Sequence, residues 1–510
     1  MSSPRQPCKI RLLDEVSCMI VGLHGSHLQM LTNRYAVHAA GYIFNPKYKL
    51  GQWDGKIKYF QSSGKTYVFL LEEILPILVG LGYAPQLEDL RTSVSFEPSL
   101  IDENIFSHIK HMDTGEPIIL RDYQVRCVNA MISNSFGLIN ASTGAGKTLI
   151  TAAMCHAYGL GGIRTLVIVP SQDLIRQTKA ELINCQLDTG EYSGAHKTLD
   201  HQHIVSTWQA LKNNPGIIST FGMVFVDEVH LAAGPQLQQI LTNHAARIPY
   251  RFGVTGTIPK DPNAELSIKV ALGPVRETVT AAELMERGVL AQIAISVIQL
   301  EEDLTSEYES FCRTDHPLSS PPTYAQYKEG YFPDFSSEKS YIHRKQERIQ
   351  WIANHLLEKQ DAGKGNILCF VDSITLGRNL AALIPGAIFV NGQDTKTAKQ
   401  RLAVYDLFKD RNDLIVIATV HIAGTGLNIR RINELVGIDL GKSFTRVIQA
   451  IGRGARTAHD KTTFHYTDIC SDLKYGKKHL TTRLSYYKDA QYPFKKYKVD
   501  YAKMLDINKE

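Results

Sequence analysis

The sequence predicts an α/β chain: two parallel-sheet lobes, a small N-terminal α+β domain and a basic C-terminal tail. Short β-branched runs alternate with helical patterns between about residues 113 and 290, and the same alternation returns between 291 and 473. Such alternation marks parallel strands covered by helices on both faces. The segments outside these blocks, 1–112 and 474–510, carry turn signals and basic, aromatic-rich composition instead.

In chain order, the first block holds the turn signal Asp54-Gly55 before Lys56-Ile57-Lys58-Tyr59, which alternates polar and apolar. Ser63-Gly64 turns again into Thr66-Tyr67-Val68-Phe69, so a β-hairpin is expected here. Helical spacing follows from Leu71 to Leu81, with Pro76 inside it. In the second block the candidate strands are Leu138-Ile139, Leu166 to Val169, Met223 to Val226 and Phe252 to Val254. In the third they are Ile367 to Val371, Ala387 to Val390, Leu414 to Ala418 and Leu435 to Asp439. The polar stretch Thr305 to Lys339 reads as either an ordered insertion or a mobile linker, and its Ser319-Ser320-Pro321-Pro322 run favours the linker.

Composition narrows the class. A hydrophobic share of 44% and a charged share of 21% over 510 residues are those of an ordinary globular protein. The longest apolar runs, Leu166 to Val169 and Leu414 to Val420, are too short for a membrane span. Pro4, Arg5, Pro7 and Lys9 leave no apolar signal-peptide core, so a cytoplasmic protein is expected. Cysteines scattered from Cys8 to Cys470 form no C-x-x-C pair, which argues against a disulfide framework or a zinc ribbon. His196, His201 and His203 cluster without thiol or carboxylate partners at ligand spacing, so a polar loop is expected there.

The strongest local signal is Ala141-Ser142-Thr143-Gly144-Ala145-Gly146-Lys147-Thr148, which follows an apolar run and opens a helical stretch. That is the context a phosphate loop needs. Backbone N–H groups from Thr143 to Gly146 can close on phosphates, and the helix N-terminus adds positive potential. Lys147 would reach the β- and γ-phosphates, and Thr148 would ligate Mg²⁺. Ala141 stands where Gly usually opens the motif. Further on, Val224-Phe225-Val226 leads into Asp227-Glu228-Val229-His230, acids at the end of a strand, where α/β sheets bind ligands. Asp227 would hold the Mg²⁺ shell, and Glu228 would orient or deprotonate the attacking water. Alone, an Asp-Glu pair is more often a solvated turn; Lys147 in the same block argues for chemistry.

These residues resemble motifs I and II of the superfamily 2 DExH helicases, which implies RecA-like lobes, ATP and Mg²⁺. The remaining motifs follow in the family's order. Leu120-Arg121-Asp122-Tyr123-Gln124 resembles the adenine-reading element, with Gln124 as the base contact. Val169-Pro170-Ser171 and Ser206-Thr207-Trp208-Gln209 resemble strand-tracking motifs, which implies phosphate contacts at Pro170, Ser171 and Thr207. Thr255-Gly256-Thr257 resembles coupling motif III, with Gly where relatives often carry Ala. Phe370-Val371-Asp372-Ser373 resembles motif IV. Ala418-Thr419-Val420 with Gly424-Thr425-Gly426-Leu427-Asn428 resembles motif V, implying Thr419 at the nucleic acid and Gly426 and Asn428 at the nucleotide. Many relatives carry Asp where Asn428 stands. Gln449-Ala450-Ile451-Gly452-Arg453-Gly454-Ala455-Arg456 fits the arginine-finger motif VI. Gln449, Arg453 and Arg456 are thereby implied to act on the transferring phosphoryl group from the second lobe.

What lies outside the motor bears on the substrate. Tyr42 to Lys49 and Gly51 to Ile57 look like the N-terminal segment of phage UvsW-type helicases. That resemblance implies action on branched DNA: fork regression, Holliday-junction migration and dissociation of R-loops, which hold an RNA–DNA hybrid. For a phage-encoded chain the compartment would be the host cytoplasm. The residues themselves point the same way, since Arg34 to Lys65 carries six Lys or Arg against the single acid Asp54. Lys47, Lys49, Lys56 and Lys58 can contact phosphates while Tyr35, Tyr42, Phe44, Tyr48, Trp53 and Tyr59 pack or stack. The alternative is that these aromatics form the small domain's core and the lysines a solvated face. From Lys474 to Lys503, nine basic residues face only Asp489 and Asp500, so the tail is expected along the DNA path. Competing readings are a duplex-DNA translocase serving a restriction or remodelling assembly, a DExH RNA helicase, and an ATP-switched binding protein. The last would have lost Glu228, Arg453 or Arg456, and all are present. Strand separation needs a wedge, expected as a loop or hairpin of the second lobe.

Overall fold

A computed structural model describes residues 5–39, 41–92, 96–112, 115–194, 196–259, 261–314, 322–363, 365–393, 404, 407–408, 411–420, 432–441, 451 and 463–503. It divides into two compact units, Met1–Val279 and Thr280–Glu510.

The first unit begins with a four-stranded sheet in the order β5-β2-β1-β6, made of β1 (Gln6–Leu12), β2 (Ser17–Val21), β5 (Lys65–Tyr67) and β6 (Tyr83–Asp89). In β1 the alternation is plain: Cys8, Ile10 and Leu12 are buried while Lys9 faces out. The helices Gly25–Arg34 and Leu71–Gly80 cover the sheet, with Leu31, Ile74 and Leu78 in the same core. A separate two-stranded ribbon pairs β3 (Ala36–His38) with β4 (Lys56–Lys58).

The expected hairpin between residues 56 and 69 does not form. Its first run is β4 and pairs with β3; its second is β5 and pairs with β2. The turn signal at Ser63-Gly64 is real, closed by Gly64 N donating to Gln61 O at 2.9 Å. Period-2 alternation does not choose a strand's partner, and Tyr59 and Phe60, buried between the two runs, carry the chain through the core.

Behind this domain lies a seven-stranded parallel sheet in the order β13-β7-β12-β11-β8-β10-β9. The strands are β7 (Phe136–Ala141), β8 (Thr165–Val169), β9 (Thr189–Tyr192), β10 (His203–Thr207), β11 (Met223–Asp227), β12 (Tyr250–Thr255) and β13 (Val275–Val279). β8, β9, β10 and β12 are buried along their whole length, as a sheet with helices on both faces requires. The N-terminal domain is fastened to this lobe through the helix Pro262–Leu272. Its Val270 belongs to the small domain's core, and Tyr59 Oη lies 2.6 Å from Ser267 Oγ. Glu73 pairs with Lys269, and the Phe69 ring sits 4.6 Å from that of Phe136.

The second unit holds another seven-stranded parallel sheet, ordered β16-β17-β15-β18-β19-β14-β20. Its strands are β14 (Gln292–Leu300), β15 (Ile367–Val371), β16 (Ile388–Val390), β17 (Ile415–Thr419), β18 (Glu434–Ile438), β19 (Thr463–Ser471) and β20 (Phe494–Val499). The described residues of the stretch Thr305 to Lys339 belong to an insertion with the helices Thr305–Thr314, Tyr324–Gly330 and Phe335–Ile342. Residues 315–321, with most of the Ser319-Ser320-Pro321-Pro322 run, lie outside the described residues. Leu304, Phe332 and Ile342 make a small core with Leu473, ringed by Tyr324, Tyr331 and Tyr341. Serine and proline dominate the reading by composition, but the aromatic residues decide the fold. The basic tail is likewise built into the lobe, as the helix Lys474–Asp489 and the edge strand β20. The Glu338 carboxylate accepts the N–H groups of Tyr475 and Gly476 at 2.8 and 2.7 Å, satisfying the helix's N-terminus.

Candidate active site

The phosphate-loop motif runs from the end of β7 into the helix Lys147–Gly159. The chain turns through Gly144 and Gly146 at φ 96° and 77°. A Cβ on Gly146 would run into Gln124 Nε2. That same Nε2 donates to Ala145 O at 2.9 Å, and Gln124 Oε1 accepts from Arg121 N at 2.9 Å. Gln124 is 2% exposed, so its carboxamide braces the loop from below. An adenine contact by Gln124 would have to use its second N–H or its second lone pair.

Motif II stands beside this loop. Asp227 ends β11, and Glu228 follows in a left-handed conformation, φ 53° and ψ 58°. Such strain at a non-glycine residue persists only where its surroundings enforce it, which is typical of functional sites. Glu228 N donates to Asp227 Oδ1 at 2.9 Å, and Glu228 Oε1 lies 3.5 Å from Lys147 Nζ. The other carboxylate oxygen, Oε2, is 3.4 Å from His230 Nδ1 and 3.5 Å from Thr255 Oγ1. His230 Nδ1 and Thr255 Oγ1 are themselves 3.2 Å apart. Because β12 neighbours β11, the hydroxyl of motif III is tied to the carboxylate of motif II. Sequence reasoning missed this role for His230 and Thr255, although the fourth letter of the DExH motif was its signal.

The glycine of Thr255-Gly256-Thr257 borders the lysine head. A Cβ on Gly256 would lie 3.2 Å from Lys147 Nζ and 3.4 Å from Thr143 Oγ1. Glycine leaves the lysine head that space.

The electrostatics suit a bound polyanion with its metal. Enclosure by the site, then the neighbouring Glu228 charge, raises the Asp227 carboxyl to about 6, while Lys147 pulls it down. Thr143 Oγ1 is buried in the loop without a hydrogen-bond partner. An orphaned hydroxyl, a cradle of backbone N–H groups and Lys147 fit a triphosphate. Thr148 and Asp227 are hard oxygen donors of the kind Mg²⁺ prefers. Among the described residues no group of three or more His, Cys, Asp or Glu could hold a metal by itself. Mg²⁺ is normally held by one or two protein oxygens, with phosphate and water completing its shell.

Three family profiles match the chain. The family described as type III restriction enzyme, res subunit, matches residues 117–260, and the helicase conserved C-terminal domain matches residues 347–458. The N-terminal family of the DNA helicase UvsW matches residues 8–84. The chain is a superfamily 2 helicase resembling UvsW. The ATP-dependent DNA helicase uvsW of Enterobacteria phage T4 is 25% identical to this helicase over 482 residues, 89% of each chain. The DNA 3'-5' translocase XPB2 of Sulfurisphaera tokodaii is 29% identical over 197 residues, 38% of this chain and 42% of that one. Among solved structures, a fragment of a putative HsdR subunit of a type I restriction enzyme from Vibrio vulnificus YJ016 has the same fold. Its TM-score is 0.54 at 15% identity, over 79% of this chain and 72% of that one. The crystal structure of T4 UvsW matches 97% of this chain at 20% identity, with a TM-score of 0.46.

The helicase's other candidate residues fall into two groups. Ser171 and Thr207 follow or end the adjacent strands β8 and β10, and each caps the helix that follows, Gln172–Asn184 and Trp208–Asn213. Pro170 lies between β8 and Ser171, and Thr419 ends β17 in the second unit. Lys47 and Lys49 are exposed on the short helix Pro46–Lys49, while Lys56 and Lys58 flank Ile57 on β4. Gly426, Asn428, Gln449, Arg453 and Arg456 lie outside the described residues. Of the histidines expected in a polar loop, His201 pairs with Asp188 at 2.6 Å and His203 is buried in β10.

Proposed function

We propose that this ATP-dependent DNA helicase remodels branched DNA: it regresses forks, migrates Holliday junctions and dissociates R-loops. The observation that carries the reading is the domain matching the UvsW N-terminal family, a basic, aromatic-rich module fastened to the ATP-binding lobe through Tyr59, Glu73 and Phe69. A duplex held by that module is held by the motor itself.

In the chemistry we assign, Lys147 and the loop N–H groups grip the β- and γ-phosphates, with Thr148 and Asp227 as the protein's Mg²⁺ ligands. Mg²⁺, when bound, supplies charge neutralisation on the β- and γ-oxygens. Glu228 orients the attacking water and takes its proton, and His230 with Thr255 fixes the carboxylate that does so. Gln449, Arg453 and Arg456 stabilise charge on the transferring group, Gly426 and Asn428 contact the nucleotide, and Gln124 supports the loop beside the adenine. Pro170, Ser171, Thr207 and Thr419 hold backbone phosphates without reading sequence.

A duplex-translocase reading draws on the likeness to the XPB2 translocase. The test is ATP-dependent product formation on a model fork, a linear partial duplex and an RNA duplex. Preferential conversion of the fork supports the proposal, and equal action on linear DNA removes its branch-specific part. Lys147→Ala should abolish ATP turnover on every substrate while keeping the fold.

A further inference from the structure

Between Tyr35 and Tyr59 the chain leaves the N-terminal domain and comes back. Both rings are buried, at 5% and 3% exposure, and Tyr59 N donates to Tyr35 O at 2.9 Å. Of the described residues between them only Gly55 is buried. An excursion that contributes no side chain to a core is ordinarily a pliable loop, yet this one is built. β3 and β4 pair along their length, Ala39 N donates to Gly55 O, and Gln52 N donates to Lys47 O. Asn45 caps the short helix, and Trp53 Nε1 donates to Lys56 O at 2.9 Å. The Tyr42 ring stacks on His38 at 4.2 Å and meets Tyr48 edge-on at 4.8 Å. The segment is a finger stiffened by its own bonds and rings.

What the finger presents is apolar and basic. Phe44 is 73% exposed, Leu50 70% and Ile43 49%. Isolated exposed apolar residues are ordinary; three large ones within one short projection mark a contact surface. Lys47, Lys49, Lys56 and Lys58 surround them, and the only acid, Asp54, is paired with Lys58 at 3.3 Å. That charge suits a polyanion. Apolar side chains delivered to DNA among lysines wedge into base steps or stack on exposed bases.

We propose that residues 36–58 form the wedge that holds a DNA branch point open. Phe44 and Leu50 stack on the terminal base pair, and Lys47 and Lys49 bind the flanking phosphates. The proposal rests on the branched-DNA reading above. It puts the wedge in the N-terminal domain instead of the second lobe.

The test uses the full chain and a fork carrying 2-aminopurine at its junction. Wild-type protein should raise the probe's fluorescence on binding, as an unstacked base does. The double variant Phe44→Ala/Leu50→Ala should leave it at the level of free DNA and slow fork conversion at least tenfold. Its ATP turnover on linear duplex should stay within twofold of wild type. Phe44→Trp should restore conversion, with its added emission quenched by the fork. Fork conversion at the wild-type rate by the double variant overturns the wedge and leaves a protein partner or a second copy as the finger's occupant. A wild type without fork preference overturns both readings, whereas a fork-preferring wild type with an indifferent double variant overturns the finger alone.

Discussion

Replacing Gly146 and Gly256 by alanine, one at a time, adds the same methyl group to two sides of the phosphate loop and should have opposite consequences. Gly146 has φ 77°, a left-handed value that costs an L-residue about 1–2 kcal/mol. Its new Cβ also runs into Gln124 Nε2, whose hydrogen bond to Ala145 O must then break, at about 1 kcal/mol more. If that strain falls on the phosphate-binding conformation, about 2–3 kcal/mol becomes roughly a 30- to 150-fold loss in kcat/KM for ATP. Gly256 has no positive φ, and its closest neighbour is the flexible end of Lys147, at 3.2 Å. Alanine there should cost the lysine a few tenths of an ångström at most. Reduced freedom of the unfolded chain returns about 0.4–1 kcal/mol, raising the melting temperature of the first unit by about 1–3 °C. Steady-state phosphate release and a thermal scan on both variants measure these effects. Equal losses of turnover in the two, or wild-type turnover in Gly146→Ala, would refute the idea that Gln124 and the left-handed turn shape the loop.

Three further outcomes follow from other parts of the chain. In the second unit Asp439 is enclosed with Arg348 at 2.9 Å; burial alone would raise its carboxyl, but Arg348 and His343 hold it down to about 2. Against an unfolded value near 3.9, that pair contributes about 2–3 kcal/mol above roughly pH 4, lost as the pH falls through 2. Asp439→Asn should therefore flatten the acid limb of that unit's unfolding curve between pH 4 and 2. Reversing Lys495, Lys496 and Lys498 on β20 to glutamate should weaken DNA binding and make the salt dependence shallower by about 0.9 for each phosphate no longer neutralised. Unchanged affinity and slope would mean those lysines only keep an exposed edge strand from pairing. Tyr59→Phe removes the bonds to Ser267 and Asn263, at 2.6 and 2.9 Å, while keeping the ring in the core. Branch migration per ATP should fall with ATP turnover intact, and an unchanged ratio would show that the finger's root carries no load.

What the sequence made legible is what is local. The phosphate loop and Asp227-Glu228 were readable because each is a short run of fixed chemistry at the end of an apolar strand. Four strands of each seven-stranded sheet were anticipated from such runs, but β9, β10 and β13 of the first and β14, β19 and β20 of the second were not. In β9, Thr-Gly-Glu-Tyr, the polar residues are buried by neighbours distant in sequence. Composition favoured the linker over the insertion for a related reason: the insertion's core depends on Leu473, more than a hundred residues away. The Gln124 brace had no signal of its own, since the same glutamine suits an adenine edge and a loop carbonyl equally well. Arg251 shows the same limit. A cation in the middle of a strand pattern reads as exposed, yet it is fully buried, donating to Leu241 O, Ala245 O and Ala271 O, with burial lowering it to about 10.

The finger and the ATP site are joined by one short run of chain. Thr255 reaches Glu228 and Gly256 lies beside Lys147, and the helix that begins at Pro262 holds the finger's root through Asn263 and Ser267. The same helix packs against residues 229–233, which follow Glu228 directly. Val270 and Leu266 of that helix extend this path into the small domain's core. On the wedge reading, the finger and the phosphate grips at Ser171 and Thr207 then move as parts of one body. The DNA between the opened branch point and those grips keeps a fixed length through the cycle. A mechanism in which the N-terminal domain swings against its own lobe to open the fork would have to break the Tyr59, Glu73 and Phe69 contacts in every turnover. The packing favours a fixed wedge against which the duplex is drawn.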